Sequence, residues 1–223
     1  MPIRVGYGAV NAFYQHGVQI QIGHNVAGQW IGDTDVIAHE LGHGVDYTSG
    51  SSISTIGTSE FVTDAFDAAT EAFLRGSTDY LVGGDVNLRG TGLPIRNMYD
   101  PSLVNNHPNC YTSSIPITEE HKAAGVGNHW FYLLAEGSNP TNGQPVSPTC
   151  NGSVIPTGVG IQNAIKILYT AMLLKNSKSS YLTYRTGTLK AAKALDTTCA
   201  LYNATKAAWN AVTVPAQKND PTC

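Results

Sequence analysis

The feature that most constrains this 223-residue chain is the pentapeptide His39-Glu40-Leu41-Gly42-His43. Four residues advance an α-helix by about 400°, so a helix through this stretch holds both imidazoles on one face, one turn apart. The surroundings favour a helix: Asp33 and Thr34 are capping residues before it, the pattern runs to Thr48, and Gly50 closes it. Two neutral imidazoles in that arrangement can grip one zinc ion, with Glu40 beside a metal-bound water as general base. The same pentapeptide also arises on ordinary amphipathic helices, so a third ligand decides between the two readings.

The next helical stretch, about 58 to 74, supplies candidates. Glu60, Asp64, Asp67 and Glu71 fall at i, i+4, i+7 and i+11 and line one stripe, while Phe61, Val62, Phe66, Phe73 and Leu74 occupy the other faces. Such a stripe is usually a solvated face, but like charges one turn apart repel unless cations compensate them. Glu60 as third ligand gives a His2Glu set with an open position, the arrangement of a hydrolytic zinc. Asp64, one turn on, is placed to accept the second ring N–H of a ligand histidine.

Organisation follows from pattern. In residues 3–32, Val18, Ile20 and Ile22 alternate with Gln19 and Gln21 among aromatics and glycines, which predicts a small antiparallel sheet. Residues 77–118 are rich in Gly, Pro, Asn and Ser and read as an irregular loop, held by a disulfide or a bound calcium. Helices are expected at about 126–136, 158–176, 179–195 and 200–212. The fold class is α+β, with a sheet-bearing N-terminal lobe (1–125) around the zinc-binding helix and a helical C-terminal lobe (126–223).

Composition excludes several function classes. Thirteen Lys+Arg against 16 Asp+Glu give a net charge of −3, with no electrostatic reason to expect nucleic acid or an anionic membrane as partner. The most apolar stretch, Val159 to Leu174, is interrupted by Gln162, Asn163 and Lys166 and falls short of the roughly 18 uninterrupted apolar residues of a membrane span. Met1-Pro2 opens no apolar signal segment. Cys110, Cys150, Cys199 and Cys223 lack CxxC spacing, which disfavours a thiolate zinc site; we pair them as chain neighbours, 110 with 150 and 199 with 223. Four buried free thiols are the alternative. With 23 Gly and only 13% charged residues, the chain suits an extracellular setting better than a cytosolic one.

DVIAHELGHGVDYTSG followed by EFVTDAFDAATEAFLRGSTDYLVGGDV resembles the thermolysin family of zinc metallopeptidases, as do three further segments in order. Val10-Asn11-Ala12-Phe13-Tyr14 is similar to the family's substrate-binding edge strand. Arg96-Asn97-Met98-Tyr99-Asp100-Pro101 is similar to its Arg-x-Met-x-Asp-Pro segment. His121 with Gly125 to Leu134 resembles its active-site histidine and following helix. The resemblance spans about residues 5–212 and is closest to the secreted actinobacterial members. It implies an endopeptidase fold with zinc on His39, His43 and Glu60, Glu40 as base and proton shuttle, and His121, oriented by Glu119, stabilising the oxyanion. It also implies that Asn11 and Ala12 bind substrate backbone and Arg96 a substrate carbonyl. Val36 and Ile95 would wall a pocket for an apolar residue just after the cleaved bond. The ordinary readings of Asn11 and Arg96 are an exposed strand-edge amide and a guanidinium tied to a nearby acid. A calcium site is implied on Asp35, Glu71, Asp79 and the Leu81 carbonyl, with Asp67 or Asp85 adding to it.

The departures matter as much. The segment after the zinc helix reads GSSISTIG and lacks the tyrosine that many relatives place beside the active-site histidine; one such donor is worth about 100 to 1000-fold in turnover. Ser59 stands where an asparagine commonly supports the second ligand histidine. Ala123 and Ala124 replace a polar pair, and Ala68 and Gly84 are uncharged where relatives often carry acids. Relatives also carry most of an N-terminal sheet before the point where this chain starts, so opening strands with uncovered apolar surface would favour self-association. The expected function is a zinc endopeptidase acting on peptide or protein substrates. The alternatives are a zinc-binding member of the same fold with impaired catalysis, acting in binding or structure, and a zinc hydrolase for small substrates.

Overall fold

A computed structural model describes residues 1–51, 53–176 and 179–223. It opens with three short strands, β1 (Ile3–Val5), β2 (Ala12–Gln15) and β3 (Gln19–Ile22), in the order β1-β3-β2. β2 and β3 form an antiparallel hairpin, with Gln15 opposite Gln19 and Gly17 at φ +68° in the turn. β1, however, runs parallel to β3, with Ile3 opposite Ile20, so the sheet is mixed rather than antiparallel throughout. The alternation of Ile20 and Ile22, both fully buried, with the half-buried Gln19 and Gln21 has its expected period. Strand direction depends instead on the connection, and the loop from Gly6 to Asn11 carries the chain to the far edge before it turns back.

Two helices follow, α1 (Thr34–Thr48) and α2 (Gly57–Arg75), packed along much of their lengths. The pairing is tight because α1 presents Gly42 to Thr63 of α2. The 77–118 stretch is less irregular than expected: β4 (Leu81–Val82) pairs antiparallel with β5 (Arg96–Asn97), and two 3₁₀ turns span Pro101–Leu103 and Ile115–Ile117. Two-residue strands leave no period to read. The rest is helical: α3 (Glu120–Ala123), α4 (Gly125–Glu136), α5 (Ile161–Leu173), α6 (Tyr181–Leu195) and α7 (Ala200–Ala211). Both expected disulfides form, Cys110–Cys150 and Cys199–Cys223. The first ties the end of the 77–118 stretch to the loop after α4.

The main core runs between α2, α4, α5, α6 and α7, with the Trp130 and Trp209 rings stacked 4.3 Å apart and Phe61 edge-on to Trp130. A smaller core of Ile20, Ile22, Ile31, Val36 and Val86 seats the sheet on α1. No helix among the described residues is long and apolar enough to cross a membrane.

Candidate metal centre

The acid stripe of α2 points inward. Glu60, Asp64, Asp67 and Glu71 are all buried, Asp64 completely. Four carboxylates in that setting need positive partners or protons. At the N-terminal end the partners come from α1: His39 Nε2 lies 3.5 Å from Glu60 Oε2, and His43 Nε2 lies 3.5 Å from Glu60 Oε1. One ligand atom from each residue falls within 4.8 Å of the others, and among the described residues no other set of three or more His, Cys, Asp or Glu does so. Glu60 Oε2 is buried without a hydrogen-bond donor. Two imidazole nitrogens and an under-satisfied carboxylate converging on one point suit zinc in both donor type and number.

A network holds these donors. Asp64 Oδ1 accepts the His39 Nδ1 hydrogen at 2.8 Å, which leaves Nε2 facing Glu60. Arg96 forks onto Asp64, donating from Nε to Oδ2 at 2.6 Å and from Nη2 to Oδ1 at 2.7 Å. Asn128 Nδ2 donates to Oδ2 at 2.8 Å. Thr63 Oγ1 lies 2.9 Å from His39 Nδ1 while donating to the Glu60 carbonyl at 2.7 Å. Electrostatics follow. Burial acts to lower the His39 pKa, but the hydrogen bond to Asp64 and the neighbouring Glu60 carboxylate outweigh it and hold the ring up at about 10. Burial, then the charge on His39, pushes His43 down to about 4. Burial acts to raise Glu60, yet the adjacent His39 ring, 3.5 Å away, and the charge of Arg96 bring it to about 2.

Glu40 is buried on the adjoining flank of α1, and burial raises its carboxyl above the usual range. His121 faces the same centre from α3, half exposed, with Nε2 3.8 Å from Glu60 Oε2. Its Nδ1 is bound by Glu119, which also caps α3 by accepting the His121 and Lys122 amides. Burial acts to raise Glu119, but its bonds to His121 keep the carboxyl low.

The remaining expected residues divide. Asn11 immediately precedes β2, a free edge of the sheet, and Ala12 opens that strand half-buried. Val36 is buried in the small core, with Ile95 packed against it. Ser59 is buried in the first turn of α2, and its hydroxyl makes no hydrogen bond to His43 among the described residues. Arg96 is itself buried and tied to Asp64, as its ordinary reading has it. In the GSSISTIG segment, Ser52 lies outside the described residues.

The expected calcium donors are drawn together less closely. Glu71 Oε1 accepts from Arg75 Nη1 at 2.9 Å, Glu71 Oε2 accepts the Asp79 amide at 3.3 Å, and Asp79 Oδ1 accepts the Leu81 amide at 2.8 Å. Asp35 Oδ1 is buried without a partner. Burial, then Glu71, Asp33, Asp79 and Asp85, pushes Asp35 up to about 6, and burial beside Asp35 and Asp64 raises Asp67 well above the carboxylate range.

Asn128 and Thr63 were not singled out by the sequence. Asn128 is flanked by an apolar, wholly buried run from Trp130 to Ala135, so a polar side chain on that helix was a usable signal. Thr63 carried none beyond its place within the acid stripe.

Comparison with known proteins agrees with this geometry. Residues 1–46 match the family model described as thermolysin metallopeptidase, catalytic domain, and residues 57–214 match thermolysin metallopeptidase, alpha-helical domain. The transglutaminase-activating metalloprotease of Streptomyces mobaraensis is 34% identical over 95% of this chain and 29% of its own length. The hemagglutinin/proteinase of Vibrio cholerae is 36% identical over 48% of this chain and 18% of its own. The neutral protease of Vibrio proteolyticus is 31% identical over 60% and 23%, respectively. This chain therefore spans less than a third of the length of these relatives. Since the two family models together take in both helices that supply the donors and all the helices behind them, the chain belongs to the thermolysin metallopeptidase family.

Proposed function

We propose that this chain is a zinc endopeptidase that hydrolyses internal peptide bonds, with an apolar residue favoured just after the scissile bond. The observation that carries the reading is that His39 Nε2 and His43 Nε2 each lie 3.5 Å from a Glu60 carboxylate oxygen, Oε2 and Oε1 respectively, with Glu40 buried on the same helix. Zinc, when bound there, supplies a Lewis acid that brings the pKa of water down to about 7. Glu40, in its low-dielectric flank, takes the proton of the attacking water and passes it to the leaving amine nitrogen. A carboxyl raised by burial is suited to both halves of that transfer. His121 donates from Nε2 to the carbonyl oxygen as it gains charge, while Glu119 at Nδ1 fixes the ring. An extended substrate would pair with the β2 edge at Asn11 and Ala12, its next side chain entering towards Val36 and Ile95. In this reading the substrate lies in a cleft between residues 1–125 and 126–223.

Casein hydrolysis by the zinc-loaded protein tests the proposal. Glu40→Gln should abolish turnover with zinc retained, and Glu60→Ala should lower zinc affinity. A second reading, a zinc-binding member with impaired catalysis, is favoured by one observation: no tyrosine lies in residues 49–57 to share the oxyanion with His121. Zinc uptake without turnover of any peptide would establish it. Turnover of small amides alone would favour a small-substrate hydrolase.

Calcium on Asp35, Glu71, Asp79 and the Leu81 carbonyl belongs to the same proposal, supported by the partner-less Asp35 Oδ1 among like charges. A melting temperature unchanged between calcium and EGTA would refute it. Two disulfides support an extracellular setting. The fully exposed β1 supports self-association, which sedimentation tests directly.

A further inference from the structure

We propose that Asn128 is a positioning residue of the metal centre, acting on His39 through Asp64; the inference rests on the metal-site reading above. Asp64 is wholly enclosed and takes four hydrogen bonds, two on each oxygen. Oδ1 carries His39 and one arm of Arg96. Oδ2 carries the other arm and Asn128 Nδ2, so the amide is the one donor that balances His39 across the carboxylate. Without that amide Oδ2 keeps only the Arg96 Nε bond, so the carboxylate can pivot together with the guanidinium and re-aim the His39 ring.

The side chain is out of keeping with its surroundings unless it has such a role. Asn128 sits on α4, whose residues from Gly125 to Ala135 are all buried, and its own Oδ1 has no partner. An apolar residue of similar size would leave no unpaired oxygen, so the structure tolerates a cost at Oδ1 for what Nδ2 does. The reach of Nδ2 is itself built by glycines. A Cβ on Gly127 would lie 2.1 Å from Phe61 Cγ, and one on Gly57 2.3 Å from the Ala123 carbonyl carbon. Bare backbone at these two places lets α2 close on α4 and on the α3–α4 junction before it until position 128 meets position 64. Tyr181 fastens the same junction, donating to the Ala123 carbonyl at 2.7 Å and accepting the Gly127 amide at 3.2 Å.

The test compares wild type with Asn128→Leu, an apolar near-isostere, and Asn128→Ser, a smaller residue that packs without clash. Zinc affinity is measured by competition with a chromophoric chelator, cobalt-substituted protein is examined by visible absorption, and EDTA-treated protein is melted. The expected result is zinc binding about 10 to 100-fold weaker in both variants, with an altered cobalt spectrum. Wild-type affinity and spectrum in a folded variant, with only the melting temperature moved, would show a packing role and overturn the proposal. Failure of the wild type itself to take up zinc would instead bring down the metal-site reading on which it stands.

Discussion

The distance between α1 and α2 sets the geometry of the centre, and Gly42 sets that distance. A methyl group added there would lie 2.9 Å from Thr63 Cα, 3.1 Å from its Cβ and 3.2 Å from its Cγ2. Two of these neighbours belong to the rigid part of α2. Ordinary contact between carbons is about 3.5–4.0 Å, so Gly42→Ala requires α1 to retreat by roughly 0.5–1 Å. The backbone gains, since alanine is better than glycine in a helix interior by about 1 kcal/mol. Overpacking a dense interior costs about 1–3 kcal/mol, so the net loss of stability should stay near or below about 2 kcal/mol. Zinc binding is less tolerant, because metal–ligand distances hold to within about 0.2 Å. His39 and His43 move with α1 and Glu60 stays on α2, so the retreat exceeds that tolerance. The expected outcome is a folded protein whose zinc affinity, by chelator competition, falls about tenfold or more, with a modest decrease in urea midpoint. Affinity within about twofold of wild type in the folded variant would refute the claim that this contact sets the ligand spacing.

Three further outcomes are expected. Lys175 is buried with its ammonium on the Asp46 and Ser49 carbonyls and 3.3 Å from Asp46 Oδ1, so Lys175→Met should destabilise the protein by about 3–5 kcal/mol in urea titration. Reduction of the disulfides, which close separations of 40 and 24 residues, should cost about 3–4 kcal/mol for each alone on chain-entropy grounds, read from denaturation of Cys→Ala pairs. Burial acts to raise the Asp220 carboxyl, but bonds from Arg185 and Thr186 bring it below its ordinary value. A carboxyl lower in the folded than in the unfolded chain contributes stability above the unfolded pKa of about 4, and that contribution disappears as pH falls through the folded value. Asp220→Asn should therefore lower stability at pH 7 and leave it nearly unchanged at the acid end, as paired melts would show.

What the sequence disclosed about this protein was local, and what it withheld was distant. His39 and His43 share a face because four residues make about one helical turn, a fact of the chain alone. Glu60 through Glu71 likewise share a stripe, but periodicity cannot say whether a stripe faces water or a neighbouring helix. Here it faces α1, because glycine at 42 lets the helices close on that side. The hairpin of β2 and β3 was legible from Ile20 and Ile22. The parallel entry of β1 was not, since strand direction is decided by a connection without a pattern. Arg96 and Asn128 reach Asp64 from 32 and 64 residues away, and no local rule ranks such pairings.

The same distinction separates the two candidate cation sites. At the candidate zinc donors, local helix geometry supplies two side chains and the interhelical contact brings the third, with Asp64 holding His39 and itself held by Arg96 and Asn128. At the calcium donors no local repeat does the assembling, and Arg75 from the end of α2 already lies on Glu71, 3.5 Å from Asp85 and 3.7 Å from Asp33. A divalent ion there has to compete with a guanidinium hydrogen-bonded to Glu71, whereas at the other site Arg96 is committed to Asp64 and stays 3.7 Å from Glu60 Oε2. Zinc should consequently bind much more tightly than calcium to this chain. Arg75→Met, by removing the competitor, should strengthen calcium binding in calorimetric titration; weaker binding in that variant would mean that Arg75 builds the acid cluster rather than occupying it.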